Sequence, residues 1–295
     1  MKPVDFELHR PETLAEAVAI LTECGDEGKI LAGGQSLVPL LNFRLARPEH
    51  LVDLGRIAAL TNIRRTAEQL SIGAMVTHAR AERSVAVAQA APLMAAAFPH
   101  IAHQAIRARG TVGGSIAHGD PAAELPAVAV ALGATMIVVG PAGQRQIDAA
   151  DFFLANLVTA LRHDEILTEV RICPPTGLTG AAFDEVARRQ GDFALVGAGA
   201  QVRLAADHTI ADIRICVTGV SPTPHRATEA EAMLLGHSVS AEAALAAGNA
   251  TRSALNPSGD LHATADYRRD IAGTLVARVV QTAARRAASE TILAS

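Results

Sequence analysis

The sequence predicts an α+β protein in three parts. Residues 1–57 and 58–175 form two α+β subdomains, each with one glycine-pair loop, and residues 176–295 form an antiparallel sheet with helices. Three features predict this. Strand-like and helix-like patterns alternate up to "LAGGQS". Short strands and an Ala-rich helical texture then lead to "TVGGS". Beyond "CPPTG", residues 173 to 177, a hairpin pattern gives way to helices.

Taken in order, "VDFEL" alternates as a short strand, and "TLAE", Thr13 to Glu16, is a capping box. The helix it opens places Leu14, Ala17, Val18 and Leu21 on one face. Gly25 stops that helix, and "KILA" is a strand running straight into the first glycine pair. "HLVDL", residues 50 to 54, is a further strand after Pro48. "TNIRR" and "QLSIGAMV" predict short strands, and one Ala-rich helical stretch is expected from Ser84 to Arg109, ended by the second glycine loop. "PAAELPAVAVALGA" predicts a helix, "TMIVVG" a strand, "PAGQ" a turn and "EILTEVRI" a strand. In the last part, "GAGAQVRLAADHTIADIRICVTGV" predicts a hairpin across "AADHT", followed by helices.

Hydrophobic residues make up 49% of the chain but aromatics only 3%, so Ala, Val and Leu must fill the interior. That suits closely packed helix-on-sheet layers. A net charge of −4 with no Lys/Arg block argues against a nucleic-acid partner. "MKPVDFELHRPETL" has charges and a proline where a signal peptide needs an apolar core, so a cytoplasmic protein is expected. The longest apolar run, "LPAVAVALGATMIVVG", is too short for a membrane span. Cys24, Cys173 and Cys216 lie far apart without CxxC spacing; reduced core residues are expected, and neither an iron–sulfur cluster nor a metal site.

Gly33-Gly34 and Gly113-Gly114 are the only Gly-Gly pairs in the chain. A bare backbone lets a ligand approach closely, and successive N–H groups can converge on a phosphate. Gln35, Ser36, Thr111 and Ser115 add side-chain donors. The residues alone leave two readings open: a shared phosphate cradle, or two ordinary tight turns. No GxxxxGK[ST] is present, and "GAGAQV", residues 197 to 202, lacks the third glycine of a dinucleotide fingerprint, so close sheet packing is expected there.

"AGGQS", "TVGGS" and the following "DPAAELPA" resemble the FAD-binding medium subunits of molybdenum hydroxylases. That group includes the flavoproteins of carbon monoxide dehydrogenase and of quinoline and nicotine hydroxylases, and the central segment of xanthine dehydrogenase. The resemblance extends to "RRQGDFALV" and "DYRRDIAGTLVARVV"; "GAMVTHAR" and "AHQAIRARGTVGGSIAH" look closest to the N-heteroaromatic hydroxylases. It implies a two-subdomain FAD-binding fold of the PCMH type. Ala32, Gly33, Gly34, Gln35, Ser36 and Leu37 would cradle the FAD pyrophosphate with Thr111, Gly113, Gly114 and Ser115. Glu124 would meet a sugar hydroxyl, where the family often has Asp; Leu167 would lie near the flavin or adenine. Phe193 stands where the carbon monoxide enzyme has Tyr beside the isoalloxazine, which leaves flavin contact and packing equally open. The resemblance further implies a small partner with two [2Fe–2S] clusters and a large molybdenum subunit, together a dimer of heterotrimers. Electrons would pass from the clusters through non-covalent FAD to an external acceptor, and no acid–base residue is assigned to this chain.

Other residues have plainer readings. His100 and His103 lack further ligands; His118 is open to a cofactor contact or a solvent-facing loop position, and Arg188 and Arg189 to a phosphate, a partner or, by default, a solvated strand edge. Arg107 and Arg109 are read as helix-end charges. Two rival functions remain at this level: a self-contained flavin oxidase, which often attaches FAD through a His where this chain has Gln35, and a non-catalytic nucleotide-binding regulator.

Overall fold

The computed structural model describes residues 2–294. The strands β1 (Glu7–His9), β2 (Gly28–Leu31) and β3 (His50–Asp53) form a parallel sheet in the order β1-β3-β2. Helix α1 (Leu14–Cys24) connects β1 to β2, and α2 (Leu37–Asn42) connects β2 to β3. At the start of α1, Thr13 Oγ1 accepts the Glu16 N–H at 3.2 Å, as the capping sequence predicts. The return arm is displaced by one residue: the Glu16 carboxylate accepts from Glu12 N–H at 2.9 Å. Ala17, Val18 and Leu21 bury their shared face against Val52 and Leu54.

The second subdomain begins with β4 (Ile63–Arg65) and β5 (Leu70–Gly73), then short helices: α3 (His78–Glu82), α4 (Val85–Ala90), α5 (Pro92–Ala97) and α6 (Gln104–Arg107). The single Ala-rich helix expected over Ser84–Arg109 is therefore broken. Pro92 lacks the N–H that would continue α4, and its fixed φ suits the first position of a new helix. There follow α7 (Val112–His118), α8 (Glu124–Leu132), β6 (Thr135–Gly140), β7 (Gly143–Asp148), α9 (Ala149–Phe152), β8 (Phe153–Ala155), β9 (Val158–Thr159) and β10 (Ile166–Ile172). Five of these strands make an antiparallel sheet, β4-β5-β10-β6-β7. Strand β7, "GQRQID", is an edge strand with Ile147 as its buried side chain, and its polar sequence gave no strand signal.

Residues 173–178 carry no helix or strand. Beyond them β11 (Thr179–Ala187), β12 (Ala194–Leu204), β13 (Ile210–Thr218) and β14 (His225–Arg226) form an antiparallel meander. The β12–β13 hairpin turns across residues 205–209 as predicted. Helices α10 (Thr228–Leu234), α11 (Ala241–Ala254) and α12 (Ala265–Ala294) complete the chain, with α12 lying on β11 and β12. Helix α5 packs on the same two strands, and Phe183 and Cys216 join the core of the second subdomain. "GAGAQV" is strand, and the Phe183 ring lies against Gly197 and Gly199, the close packing expected. Of the three cysteines only Cys216 is a core residue; Cys24 is half-buried and Cys173 exposed, correcting the expectation for both. Among the described residues no helix is long and apolar enough to cross a membrane.

The approach to the second glycine pair is tied down by Arg107, which does more than sit at a helix end. Its guanidinium donates to the Glu82 carboxylate and to the carbonyls of Ile101 and Ala102, each at 3.0 Å. Ala102 has φ +44°, a costly conformation for a residue with a Cβ, and this bond helps to hold it. Replacing Arg107 by Met should lower urea-measured stability by roughly 2–3 kcal/mol, because a carboxylate and two carbonyls lose a charged donor together. Arg107→Lys should recover only part, since an ammonium cannot reproduce the planar fork. Unchanged urea midpoints in both variants would contradict this role.

Candidate functional site

Strand β2 delivers the chain into Ala32–Ser36, and α2 starts directly after. Gly34 sits at φ +74°, which L side chains rarely adopt, and its carbonyl accepts the Val38 N–H at 3.0 Å. Gln35 is exposed and folds back, donating through Nε2 to the Gly33 carbonyl at 3.1 Å. Among the described residues, the N–H groups of Gly33, Gly34, Gln35, Ser36 and Leu37 have no hydrogen-bond partner. Five adjacent donors in a half-buried segment are thus left for something outside the chain.

The second glycine motif is not a loop; this corrects the sequence expectation. Thr111 is the N-cap of α7, and its Oγ1 accepts the Gly114 N–H at 3.0 Å. Val112 N–H donates to Val76 O and Gly113 N–H to Ala74 O, both at 2.9 Å, while Ser115 N–H donates to Thr111 O at 3.0 Å. All four amides are spent inside the protein. A Cβ on Gly113 would lie 2.3 Å from that of Ala74, so this glycine lets α7 press onto the end of β5. The Ser115 hydroxyl, half-buried, is the donor this motif leaves over.

The two motifs touch. A Cβ on Gly33 would stand 2.2 Å from the Arg109 carbonyl oxygen and 2.8 Å from Gly110 Cα. Ala32 Cβ lies opposite Gly114, 3.3 Å from where a Cβ there would be. Segments 80 residues apart therefore form one surface, which neither motif specifies alone.

His78 fixes the second half of that surface and went unassigned from sequence. Its backbone N–H donates to Gly110 O at 2.9 Å, and its ring Nε2 lies 2.9 Å from Thr111 O. A carbonyl accepts, so Nε2 carries the proton. Burial lowers the ring's pKa to about 4 and keeps it neutral. Thr77, capping α3, was the available local signal.

Glu124, the first residue of α8, is only 7% exposed. Burial raises its carboxyl to about 7, helped by the charge of Asp120. Glu185 on β11 is raised to about 8, first by burial, then by Glu124 and Asp184. The two carboxyls thus feel each other, and Glu185 was not singled out because no motif marks it. The segment before α8 is clamped from β13: Thr218 Oγ1 donates to Pro121 O at 2.6 Å, and Gly219 N–H reaches the same carbonyl at 2.8 Å. Leu167 is buried on β10 in the core shared with Ile116 of α7. Phe193 is 69% exposed on the β11–β12 connection, where Gly191 rests against the His103 ring. His118 is half-buried at the end of α7, and Arg188 lies beside His262.

Chemically this is a binding surface. Five unpaired amides with the Ser36 and Ser115 hydroxyls suit a phosphate-bearing ligand. A cradle at backbone level fits FAD, whose pyrophosphate needs close approach to amides.

Comparison with known proteins agrees with this chemistry. A family model described as the FAD binding domain in molybdopterin dehydrogenase matches residues 4–175. A second, described as the CO dehydrogenase flavoprotein C-terminal domain, matches residues 181–283. The chain is 39% identical to the 6-hydroxypseudooxynicotine dehydrogenase complex subunit alpha of Paenarthrobacter nicotinovorans, covering 97% of each chain. It superposes on carbon monoxide dehydrogenase from Hydrogenophaga pseudoflava with a TM-score of 0.94 at 40% identity, covering 97% of this chain and 99% of that one. Quinoline 2-oxidoreductase from Pseudomonas putida 86 gives 0.93 at 39% identity, covering 97% and 99%. The chain belongs to the FAD-binding medium subunits of the carbon monoxide dehydrogenase and xanthine dehydrogenase family, the molybdenum hydroxylases.

Proposed function

We propose that the unpaired amides of Gly33–Leu37 hold the FAD pyrophosphate, that Ser36 and Ser115 add hydroxyl donors, and that Thr111, Gly113 and Gly114 shape the opposing wall. The single observation that carries this reading is the run of unpaired N–H groups where the two motifs meet. Ala32 faces Gly114 across the junction, and Gln35 braces the loop through the Gly33 carbonyl. Glu124, neutral over much of its range below pH 7, meets a sugar hydroxyl as donor or acceptor. Leu167 supports the site from beneath α7, and exposed Phe193 covers the flavin end.

Bound FAD supplies the exchange of electrons between one-electron clusters and a two-electron acceptor. This chain's residues bind and orient the cofactor without covalent attachment. The iron–sulfur clusters and molybdenum belong to small and large partner subunits. We place the complex in the cytoplasm, as a dimer of heterotrimers, where three free cysteines suit a reducing compartment. Its substrate is a small N-heteroaromatic compound, the chemistry named in the quinoline relative, selected in the large subunit.

The purified, FAD-loaded chain should be bleached by dithionite anaerobically but not by N-heteroaromatic substrates, aldehydes or carbon monoxide. Addition of both partner subunits should make substrate bleach it. Bleaching by substrate with this chain alone would transfer the function to a self-contained oxidase.

At the cofactor surface, Gly34→Val should lose most bound flavin while keeping its far-ultraviolet circular dichroism. Two lost charged hydrogen bonds cost roughly 3–6 kcal/mol of binding, and strain at positive φ adds to it. Full flavin occupancy in that variant would remove the cradle assignment.

Raised folded pKa values at Glu124 and Glu185 give a defined pH trend. Their protonated forms favour the fold fully below the unfolded carboxyl range, and that contribution is lost as pH rises through about 7 and about 8. The flavin-free chain should therefore lose stability between pH 5 and pH 8.5, by roughly 1 kcal/mol or more, and Glu185→Gln should flatten the curve. A slope identical to that of the unmodified chain would contradict the buried-pair account.

A further inference from the structure

We propose that His9, Cys24 and His50 form a site for one borderline-soft divalent ion of the zinc class. It lies on the first subdomain's sheet and uses none of the cofactor residues. The three side chains come from β1, the last residue of α1 and β3. Parallel pairing sets the two histidines on neighbouring strands, with Glu7 opposite His50 in register. His9 Nε2 and His50 Nδ1 face each other at 3.1 Å, and the Cys24 Sγ completes a set lying within 4.8 Å throughout.

Tetrahedral zinc with bonds of about 2.0–2.3 Å separates its donors by roughly 3.4–3.7 Å. The nitrogens already meet that spacing closely, and a small side-chain rotation brings in the sulfur. Imidazole with thiolate is a donor set that zinc takes readily. A fourth ligand is at hand in the Glu7 carboxylate, 3.9 Å from His9 Nε2 and 3.7 Å from His50 Nδ1. Glu27 and Glu49 also gather around His50, so the surroundings favour a cation. A simple histidine–histidine hydrogen bond explains the short contact between the rings. It does not explain why the Cys24 thiol joins the same set, with the Glu7 carboxylate 3.9 and 3.7 Å from the two rings.

The consequence is a fastening. β1 is a three-residue edge strand, and one ion would tie it to β3 and to the end of α1. An ion that binds only the folded chain stabilises it by mass action.

The test is titration of the purified full-length chain with Co²⁺ alone, followed by displacement with Zn²⁺. One Co²⁺ per chain is expected, with a thiolate-to-cobalt charge-transfer band that Zn²⁺ bleaches. Cys24→Ser should abolish the band, His50→Ala should weaken binding at least tenfold, and Cys173→Ser should leave both unchanged. Absence of the band, its survival in Cys24→Ser, or its loss in Cys173→Ser would overturn the proposal. Should Cys24→Ser fail to fold, alkylation mapped by mass spectrometry on the unmodified chain decides. Zn²⁺ should protect Cys24 and leave Cys173 reactive; equal labelling of Cys24 with and without Zn²⁺ would overturn the site.

Discussion

Contact between Gly33 and the Arg109–Gly110 peptide is the constraint on which the rest of the site depends. With no room for even a methyl group, the first subdomain's loop can meet the second subdomain only through a glycine. That meeting requires the second strip of backbone to stay in place. His78 holds Gly110 and Thr111 from within, Arg107 holds the preceding turn, and Gly113 seats α7 on Ala74. Much of the second subdomain's short-helix architecture can be understood as support for a wall a few residues wide.

The two glycine motifs look alike but do different physical jobs. In the second, the amides are consumed by capping and by pairing with residues 74–76, so the segment is rigid before any ligand arrives. In the first, the donors stay open. A buried or half-buried N–H without a partner costs free energy that a phosphate oxygen recovers. Preorganised support on one side and unpaired donors on the other therefore favour a bound anion over an empty surface. Glu124 and Glu185 add a second feature: two buried carboxyls that interact keep protons near neutrality.

Much of this was legible in the sequence where the signal is local. The Thr13 cap, the stop at Gly25 and the β12–β13 hairpin all follow from short-range chemistry. Elements whose structure is imposed from elsewhere were not. The Ala-rich stretch breaks at a proline whose effect a continuous apolar pattern conceals, and polar β7 is a strand because β6 pairs with it. The same division runs through the site. Both glycine pairs stand out as text, yet the difference between them arises from Ala74, Val76 and His78, a strand end away. His9, Cys24 and His50 have no metal-motif spacing; the parallel pairing of β1 with β3 and the end of α1 bring them together.

Amide hydrogen exchange on the flavin-free and FAD-loaded chain measures the asymmetry of the two motifs directly. Rapid exchange is expected at Gly33 through Leu37 without cofactor, and strong protection with it. Gly113, Gly114 and Ser115 should be protected in both states, because their donors are already paired. Protection of residues 33–37 in the absence of FAD, or a failure to gain protection on binding, would contradict the claim that these amides hold the pyrophosphate.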